Sequence, residues 1–248
     1  MRAEVLSRLG PTALASLAGV DRACAAAVAG TALMRWAKAE KSLPPRPRST
    51  LLTRVPRLCV REACSLAACG GHLEVIMWLH STGCPCDTVT CAAAAAGGDL
   101  KMLKWLYDTG CPWDSFTCRA AAAGGYLEVL KWLYSTGCPF NTVTCAPAAA
   151  SGHLEVLMWI HNTGCPWDSG TCASAAWCGH LELLKWLHNT GCPWGAGTCR
   201  AAARGGHLAT LQWARKHHCP WNEDTIRAQA ALGGNADMLT WLDEQGVP

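Results

Sequence analysis

The chain is poor in the aromatic residues that usually fill a hydrophobic core, and it is poor in charge. Its 248 residues include 2 Phe and 3 Tyr, and 16% are charged, against about 25% in average soluble proteins. Hydrophobic residues still make up 50% of the chain. This excludes intrinsic disorder over most of its length, because disorder requires low hydrophobicity and high net charge. Trp is abundant, with 13 residues, which indicates a repeated motif that carries tryptophan.

A long uninterrupted apolar run is also missing. The most apolar N-terminal stretch, 14–37, contains Asp21, Arg22 and Arg35, whereas a membrane span needs about 20 nearly uninterrupted apolar residues. No basic start leads into a leucine-rich run with a small-residue cleavage site, so no secretory signal is predicted. We therefore expect an intracellular, cytoplasmic protein without a membrane partner.

Charge is distributed unevenly between two parts of the chain. Residues 1–56 hold nine Lys and Arg against three Asp and Glu, a net charge of +6, and residues 57–248 hold twelve against fifteen, a net charge of −3. The change of sign indicates two segments of different character. A nucleic-acid-binding domain is strongly basic, so we expect no nucleic-acid partner for the larger segment.

That larger segment, 57–248, repeats one motif, which begins as Gly-Gly-His-Leu-Glu-Val at Gly70 and returns at Gly97, Gly124, Ser151, Cys178 and Gly205. Two residue types recur in register with this motif, and we call each series a ladder. The tryptophan ladder is Trp78, Trp105, Trp132, Trp159, Trp186 and Trp213. The cysteine ladder, in which every residue is followed by Pro, is Cys84, Cys111, Cys138, Cys165, Cys192 and Cys219. The last repeat is longer by a single residue and ends at Trp241. Two ladders in register identify an internal repeat.

The sequence of each repeat predicts two helices and no strand. In the third repeat, Thr117 is a predicted N-cap, the alanine-rich stretch that follows favours a helix, and a Gly-Gly pair ends it. A second helix over 126–134 has a broad apolar face, and Gly137 occupies the place of a left-handed C-cap. A repeat of this size cannot bury its own apolar face. The sequence therefore predicts an all-α fold, an α-solenoid of about seven stacked helix–turn–helix repeats.

The cysteines are numerous, 17 in all, and three roles are conceivable for them. Equivalent residues of stacked helices lie about 8–10 Å apart, too far for a disulfide, although pairs such as Cys111 and Cys118 could be closer. A zinc site would use the His-x3-Cys-x6-Cys pattern of three repeats, as at His161. Tyr107 and Tyr134 replace that histidine while the cysteines stay, which disfavours a metal ligand. We therefore expect small buried hydrophobic residues and no metal site.

The tryptophans and the remaining histidines are expected to have structural roles. Both the helical Trp ladder and the loop tryptophans are predicted to pack in the core or between successive repeats. The histidines of the Gly-His pairs, such as His153 and His180, are replaced by Asp or Tyr elsewhere and are predicted to cap or turn the chain. His218 stands where other repeats have the capping Gly, so an irregular turn is expected there.

No nucleophile–base pair, paired-carboxylate site or phosphate-binding glycine loop is visible, so neither an enzymatic activity nor a cofactor is predicted. Binding is expected where the repeats differ, and two positions of the first helix vary most. Arg and Trp are enriched at interface hot spots. The predicted target-binding residues are therefore Arg119, Trp177, Arg200, Arg204 and Arg227, and the alternative is a solvated helix face.

The repeat resembles the ankyrin repeat. Thr144, Ala148-Ala149, Gly152-His153, Glu155-Val156 and Gly164 fall on the ankyrin pattern. An ankyrin repeat is about 33 residues long, whereas this chain has a 27-residue period, Cys and small residues after Thr, and a loop too short for a long β-hairpin finger. It resembles most the shortened, Trp- and Cys-rich repeats of giant viruses and protists. The resemblance implies a protein-binding array, in a host cytoplasm if the source is viral.

Residues 1–42 do not repeat and resemble an incomplete F-box whose opening Leu-Pro is absent. The residues that would contact a Skp-type adaptor are Leu6, Leu9, Pro11, Leu14, Leu17 and Val20. Residues 43–56, rich in Pro and basic residues, are a predicted linker. The F-box resemblance implies a substrate receptor of a cullin–RING ubiquitin ligase. The alternative is a helical cap on the first repeat.

Together, these observations predict a non-catalytic protein–protein interaction scaffold with three parts, 1–42, 43–56 and 57–248. It is expected to be a monomer with an unknown protein target on the repeats and a Skp-type adaptor at the N-terminus. The alternative is a stand-alone ankyrin-type binding protein without a role in ubiquitination.

Overall fold

The computed structural model describes residues 57–81 and 83–244. The predicted module 1–42 and linker 43–56 lie outside these residues. The chain divides into two compact units, Met1–Trp113 and Asp114–Pro248. The part of the chain that is described contains helices and turns and no strand, and none of its helices is long and apolar enough to span a bilayer.

The described part of the first unit contains two helix pairs. They are α1 (Arg57–Cys69) with α2 (Leu73–Ser81), and α3 (Thr88–Ala96) with α4 (Leu100–Asp108). The first helices of the two pairs, α1 and α3, pack directly against each other.

The second unit contains five helix pairs of the same kind. They are α5 (Ser115–Ala123) with α6 (Leu127–Ser135), α7 (Thr142–Ala150) with α8 (Leu154–Asn162), α9 (Ser169–Trp177) with α10 (Leu181–Asn189), α11 (Ala196–Gly205) with α12 (Leu208–Lys216), and α13 (Glu223–Leu232) with α14 (Ala236–Glu244). We call the two members of each pair its first and second helix. Consecutive first helices pack side by side from α5 to α13. The predicted fold class, an all-α solenoid of ankyrin-like helix pairs, is confirmed.

The first helices can pack so closely because their inner faces consist of small residues. Ala121 and Ala122 of α5 are fully buried, and an alanine face lets two helix backbones approach without large side chains between them. The second helices supply the bulk of the core. Val129, Leu130 and Leu133 of α6 are buried, and each contributes about 1.5–3 kcal/mol by leaving water.

The described turns within and after the pairs are closed by a residue in the left-handed conformation, which is glycine in all but one of them. After α5, the Tyr126 amide donates to the Ala121 carbonyl at 3.0 Å and the Gly125 amide donates to the Ala122 carbonyl at 3.2 Å, which is the Schellman arrangement. The predicted C-cap at Gly137 is confirmed by its φ of 79°. His218 occupies the equivalent place with a φ of 60°, as the one residue other than Gly with positive φ in the described chain.

The predicted N-cap at Thr117 is wrong. The first helix of that repeat begins earlier, at Ser115, and Asp114 caps it by accepting a hydrogen bond from the Phe116 amide at 2.9 Å. Asp87, Asn141 and Asp168 cap their helices in the same way. The threonine is buried inside the first turn instead. A carboxylate at the N-cap also interacts favourably with the helix dipole, which a hydroxyl does not.

Two boundaries between neighbouring repeats of the second unit are bridged by a histidine at the start of a second helix. His153 Nε2 donates to the Ala123 carbonyl at 3.1 Å, and His180 Nε2 donates to the Ala150 carbonyl at 3.0 Å. Each bond satisfies a carbonyl that is left without a helical partner at the C-terminus of the preceding first helix. The predicted capping role of these histidines is therefore correct, but the helix that they cap belongs to the preceding repeat.

Candidate interaction surface on the first helices

The five predicted target-binding residues all lie on first helices of the second unit. Arg119 is on α5, Trp177 ends α9, Arg200 and Arg204 are on α11, and Arg227 is on α13. The first four are exposed, and Arg227 is partly exposed. The six predicted adaptor-binding residues, Leu6, Leu9, Pro11, Leu14, Leu17 and Val20, lie outside the described residues.

Trp177 and Arg204 are brought together. They occupy equivalent positions of two adjacent first helices, α9 and α11, and the Arg204 Cζ atom lies 5.5 Å from the centroid of the Trp177 ring. A guanidinium at this distance is attracted by the quadrupole of the indole. The indole is 45% exposed, which is high for the largest apolar side chain. The pair therefore presents an aromatic surface and a cation to solvent side by side.

The other three arginines do not join this pair directly. Arg119 is separated from α9 by helix α7, and its Cζ lies 5.8 Å from the ring centroid of Phe116. Arg227 forms ion pairs with Asp243 and, at 3.6 Å, with Glu223. The hydrogen bond to Asp243 raises the pKa of Arg227. Arg227 therefore links α13 to α14, and Arg200 continues the exposed cationic surface one turn before Arg204.

The charge on this surface has one sign. Helices α5, α7, α9 and α11 carry three charged side chains, Arg119, Arg200 and Arg204, and no Asp or Glu. The acidic residues that adjoin these helices are the N-caps Asp114 and Asp168, whose carboxylates accept hydrogen bonds from backbone amides, and Glu128 belongs to a second helix. We call the exposed side chains of α5, α7, α9 and α11 the first-helix face. Its chemistry suits an acidic partner.

Sequence reasoning missed two apolar members of this face. Phe116 and Val143 occupy the second residue of α5 and α7, and they are 56% and 44% exposed. Equivalent positions carry Gly170 and Gly197 in the next two repeats. The sequence signal that could have identified them as surface residues is this exchange between apolar residues and glycine, because loss of a large side chain from a buried core position is strongly destabilising.

The histidines of the zinc-like pattern have a different role. The ring of His161 stacks on the loop residue Trp167, with 4.2 Å between centroids and 9° between planes. Tyr107 stacks on Trp113 in the same way, at 4.6 Å and 16°. Arg215 holds the equivalent position of a later repeat, and its Cζ lies 4.6 Å from the ring centroid of the loop residue Trp221. The position therefore holds a planar group that packs against the loop aromatic ring, which explains why Tyr replaces His. No cluster of three or more His, Cys, Asp or Glu side chains suited to a metal ion was found within 57–81 and 83–244.

The tryptophans pack between repeats, as predicted. Trp167, in the loop after α8, meets the ring of Trp186 on α10 edge to face, with 5.8 Å between centroids. Edge-to-face pairs at this distance contribute about 0.5–1.5 kcal/mol beyond the area that they bury. The helical tryptophans are half-buried and therefore act as interface residues, whereas leucines fill the core.

The cysteines form close pairs that the sequence pattern does not reveal. The Sγ atoms lie 2.9 Å apart for Cys64–Cys84, 3.3 Å for Cys91–Cys111 and 2.7 Å for Cys118–Cys138. Cys145 and Cys165, Cys172 and Cys192, and Cys199 and Cys219 occupy the same two positions in their repeats, and in each of these pairs a side-chain hydrogen bond raises the pKa of the helix cysteine. The Cys145 Sγ lies 3.8 Å from the carbonyl oxygen of Pro166, the residue after Cys165. Every pair joins a first helix to the Cys-Pro turn that follows the second helix of the same repeat. The partner of Cys118 is thus Cys138, whereas the sequence suggested Cys111.

Comparisons with known proteins support the fold. No protein-family model matches the chain, and no curated protein matches it. Among solved structures, the crystal structure of the human ASB11 ankyrin repeat domain is similar, with a TM-score of 0.50 and 17% sequence identity over 64% of this chain and 84% of that chain. At this identity the similarity establishes a shared fold of ankyrin type.

Proposed function

We propose that the protein is a non-catalytic interaction scaffold that binds a protein partner on the first-helix face. The observation that carries this proposal is the exposed pair of Trp177 and Arg204 on helices that otherwise present mainly alanine. Trp and Arg are the residues most enriched at binding hot spots, and such residues are surrounded by contacts that contribute little energy. An ankyrin-type fold supplies a rigid surface for this kind of recognition.

The charge of the face supports an acidic partner. Arg119, Arg200 and Arg204 are exposed and face no carboxylate on their own helices. Complementary charge raises the rate of association and selects against basic competitors. We therefore expect binding to weaken as ionic strength rises, because exposed charges are screened over about 8–10 Å in physiological salt.

The test compares the full chain with two variants in affinity capture from the cells in which the protein naturally occurs, followed by quantitative mass spectrometry. The double variant Trp177→Ala/Arg204→Ala should lose the partner, because truncating a hot spot costs about 2 kcal/mol or more, or about 30-fold in Kd. Lys131→Ala is the control. Lys131 lies on a second helix and pairs with Glu128, one turn before it. Equal recovery of the same partner by all three proteins would refute the proposal.

For the N-terminal segment we propose docking to a Skp-type adaptor through Leu6, Leu9, Pro11, Leu14, Leu17 and Val20. The support is the F-box resemblance of residues 1–42. With a target held on the repeats, the protein would act as a substrate receptor of a cullin–RING ubiquitin ligase in the cytoplasm, a host cytoplasm if it belongs to the giant-virus type. The alternative proposal is a stand-alone binding protein in which 1–42 cap the repeats.

Co-purification with a Skp-type adaptor distinguishes these alternatives. The full chain and a chain that starts at Arg57 would each be co-expressed with the adaptor. Retention by the full chain alone would support the receptor. Loss of the adaptor from both chains, with the repeat domain still helical by circular dichroism, would favour the stand-alone scaffold.

A further inference from the structure

Paired thiols recur through the described repeats at a fixed place, and neither the fold nor the binding face requires them to be paired. In each pair, one cysteine lies on the first helix and is fully buried, as Cys118 is at 0% exposure, and the other lies in the Cys-Pro turn near the surface, as Cys138 is at 4%. A small hydrophobic residue would fill either position equally well. The close contact of the two sulfurs therefore needs an explanation of its own.

The backbone holds the outer sulfur in place. Cys138 Sγ lies 3.4 Å from the Asp114 carbonyl, and Cys192 Sγ lies 3.6 Å from the Asp168 carbonyl. The inner sulfur is fixed by its helix. For Cys118 and Cys138 the separation of 2.7 Å exceeds a disulfide bond by about 0.7 Å. Bond formation therefore needs only a small movement of two side chains that already face each other.

We propose that these pairs are oxidation sites, at which a hydroperoxide converts two thiols into a disulfide within one repeat. The outer thiolate attacks the peroxide oxygen and becomes a sulfenic acid, and water or an alcohol leaves. The inner thiol then attacks the sulfenic sulfur, the S–S bond forms, and a second water leaves. In balance, two thiols and one hydrogen peroxide give one disulfide and two waters.

In five of the six described pairs a side-chain hydrogen bond lowers the pKa of the outer cysteine, which favours it as the attacking group. The exception is Cys111, whose pKa is raised by hydrogen bonds with Cys86 and Cys91. Cys118 donates its S–H to Cys138, and this hydrogen bond lowers the pKa of Cys138 while it raises the pKa of Cys118. The thiolate is the reactive form. A peroxide that reaches the turn therefore meets the more acidic and more accessible sulfur first.

One pair should react before the others. Cys165 is partly exposed, whereas Cys138, Cys192 and Cys219 are buried at 4–5% exposure. Cys145 is its inner partner, at 0% exposure. Because access limits the oxidation of a buried thiol, the Cys145–Cys165 disulfide is expected at the lowest dose of hydrogen peroxide.

The experiment uses the full reduced chain and hydrogen peroxide in increasing amounts. After each dose the free thiols are alkylated in denaturant, and the unreduced protein is digested and mapped by mass spectrometry. Trypsin leaves Cys145 and Cys165 in one peptide, since no Lys or Arg lies between 131 and 185. Chymotrypsin separates them by cleaving after Trp159. The expected result is a peptide joined through Cys145 and Cys165 first, followed by the other pairs of inner and outer cysteines.

Cys178 provides the matched control. It is partly exposed, like Cys165, but the positions that would hold its partner at the spacing of the pairs are occupied by Met158 and Thr198. Cys165→Ser should abolish the joined peptide and leave Cys145 open to alkylation, whereas Cys178→Ser should change neither result. The proposal is overturned if Cys178 is oxidised while the pairs stay as thiols, or if the disulfides join other cysteines. The wild-type map alone decides between these outcomes if a variant does not fold.

Discussion

The close contact between α9 and α11 allows a prediction of what a single methyl group would cost. Gly205 ends α11 directly against the backbone of Trp177, which ends α9. A Cβ atom at Gly205 would lie 2.2 Å from the Trp177 carbonyl oxygen and 3.1 Å from its carbonyl carbon. Both are backbone atoms, so no side-chain rotation relieves the overlap. In Gly205→Ala the two helix ends must separate by about 1 Å.

The size of the effect follows from the cost of overpacking. Forcing an extra methyl into a well-packed contact costs about 1–3 kcal/mol. For a protein of this size, each kcal/mol shifts Tm by about 2–4 °C. We expect the full-length Gly205→Ala variant to melt about 2–12 °C below the wild type when helicity is followed by circular dichroism.

Gly97→Ala is the matched control, because Gly97 occupies the same position of the repeat. A Cβ atom there would lie 3.6–3.9 Å from its nearest neighbours, which is ordinary contact. Its φ of −86° suits alanine, so this variant should be unchanged or more stable by up to about 1 kcal/mol. Ser151 and Cys178 already occupy the position in other repeats. Equal melting temperatures for both variants would refute the packing argument.

Three further predictions concern single side chains, and urea unfolding of the full chain measures each of them. His218→Gly should raise the free energy of unfolding by about 0.5–1 kcal/mol, because glycine adopts the left-handed φ of 60° without the strain of a Cβ atom. Thr171→Val should raise the free energy of unfolding by about 1 kcal/mol, because the buried Thr171 hydroxyl has no hydrogen-bond partner among the described residues. Thr90→Val should lower the free energy of unfolding by about the same amount, because the Thr90 hydroxyl donates to the carboxylate of Asp87. His180→Ala should lower it by about 1 kcal/mol through loss of a hydrogen bond. His180→Asn should preserve stability, because the Asn235 side-chain amide donates to the equivalent Arg204 carbonyl in the last repeat at 3.3 Å, and to the Ala203 carbonyl at 2.7 Å.

Each of these has an outcome that would contradict it. A destabilised His218→Gly would mean that the imidazole makes a contact worth more than the strain it causes. Equal effects of Thr171→Val and Thr90→Val would show that the hydroxyls are equivalent. If His180→Asn were as unstable as His180→Ala, the hydrogen bond between repeats would not be the source of the stability.

The repeating parts of the fold can be predicted from the sequence because each structural signal occurs several times in register. A single Gly137 after an apolar helix is a weak C-cap signal, but the same residue at every recurrence of the motif is a strong one. The N-cap is misplaced for a local reason. Thr117 and Asp114 are both good capping residues within one turn of each other, and hydrophobic periodicity cannot choose between them.

Contacts between positions that are distant in the chain are harder to predict from the sequence. Trp177 and Arg204 belong to one positional series, so stacking alone brings them together. Arg227 belongs to the other variable series, but its ion pair with Asp243 depends on how α14 packs, which the repeat pattern does not specify. The cysteine pairs join a helix to a distant turn, and only the path of the chain through the second helix determines that the two sulfurs meet.

The histidine bonds between repeats have a consequence for how such an array can change length. If residues 151–177 were removed, Ala150 would be followed by Cys178, and His180 would occupy the former place of His153, within reach of the Ala123 carbonyl. Removal of this repeat thus leaves the new boundary with the same kind of donor and acceptor that the old boundaries had. Duplication or excision of such a repeat in the gene would therefore change the length of the array and preserve a hydrogen bond at the new boundary between repeats.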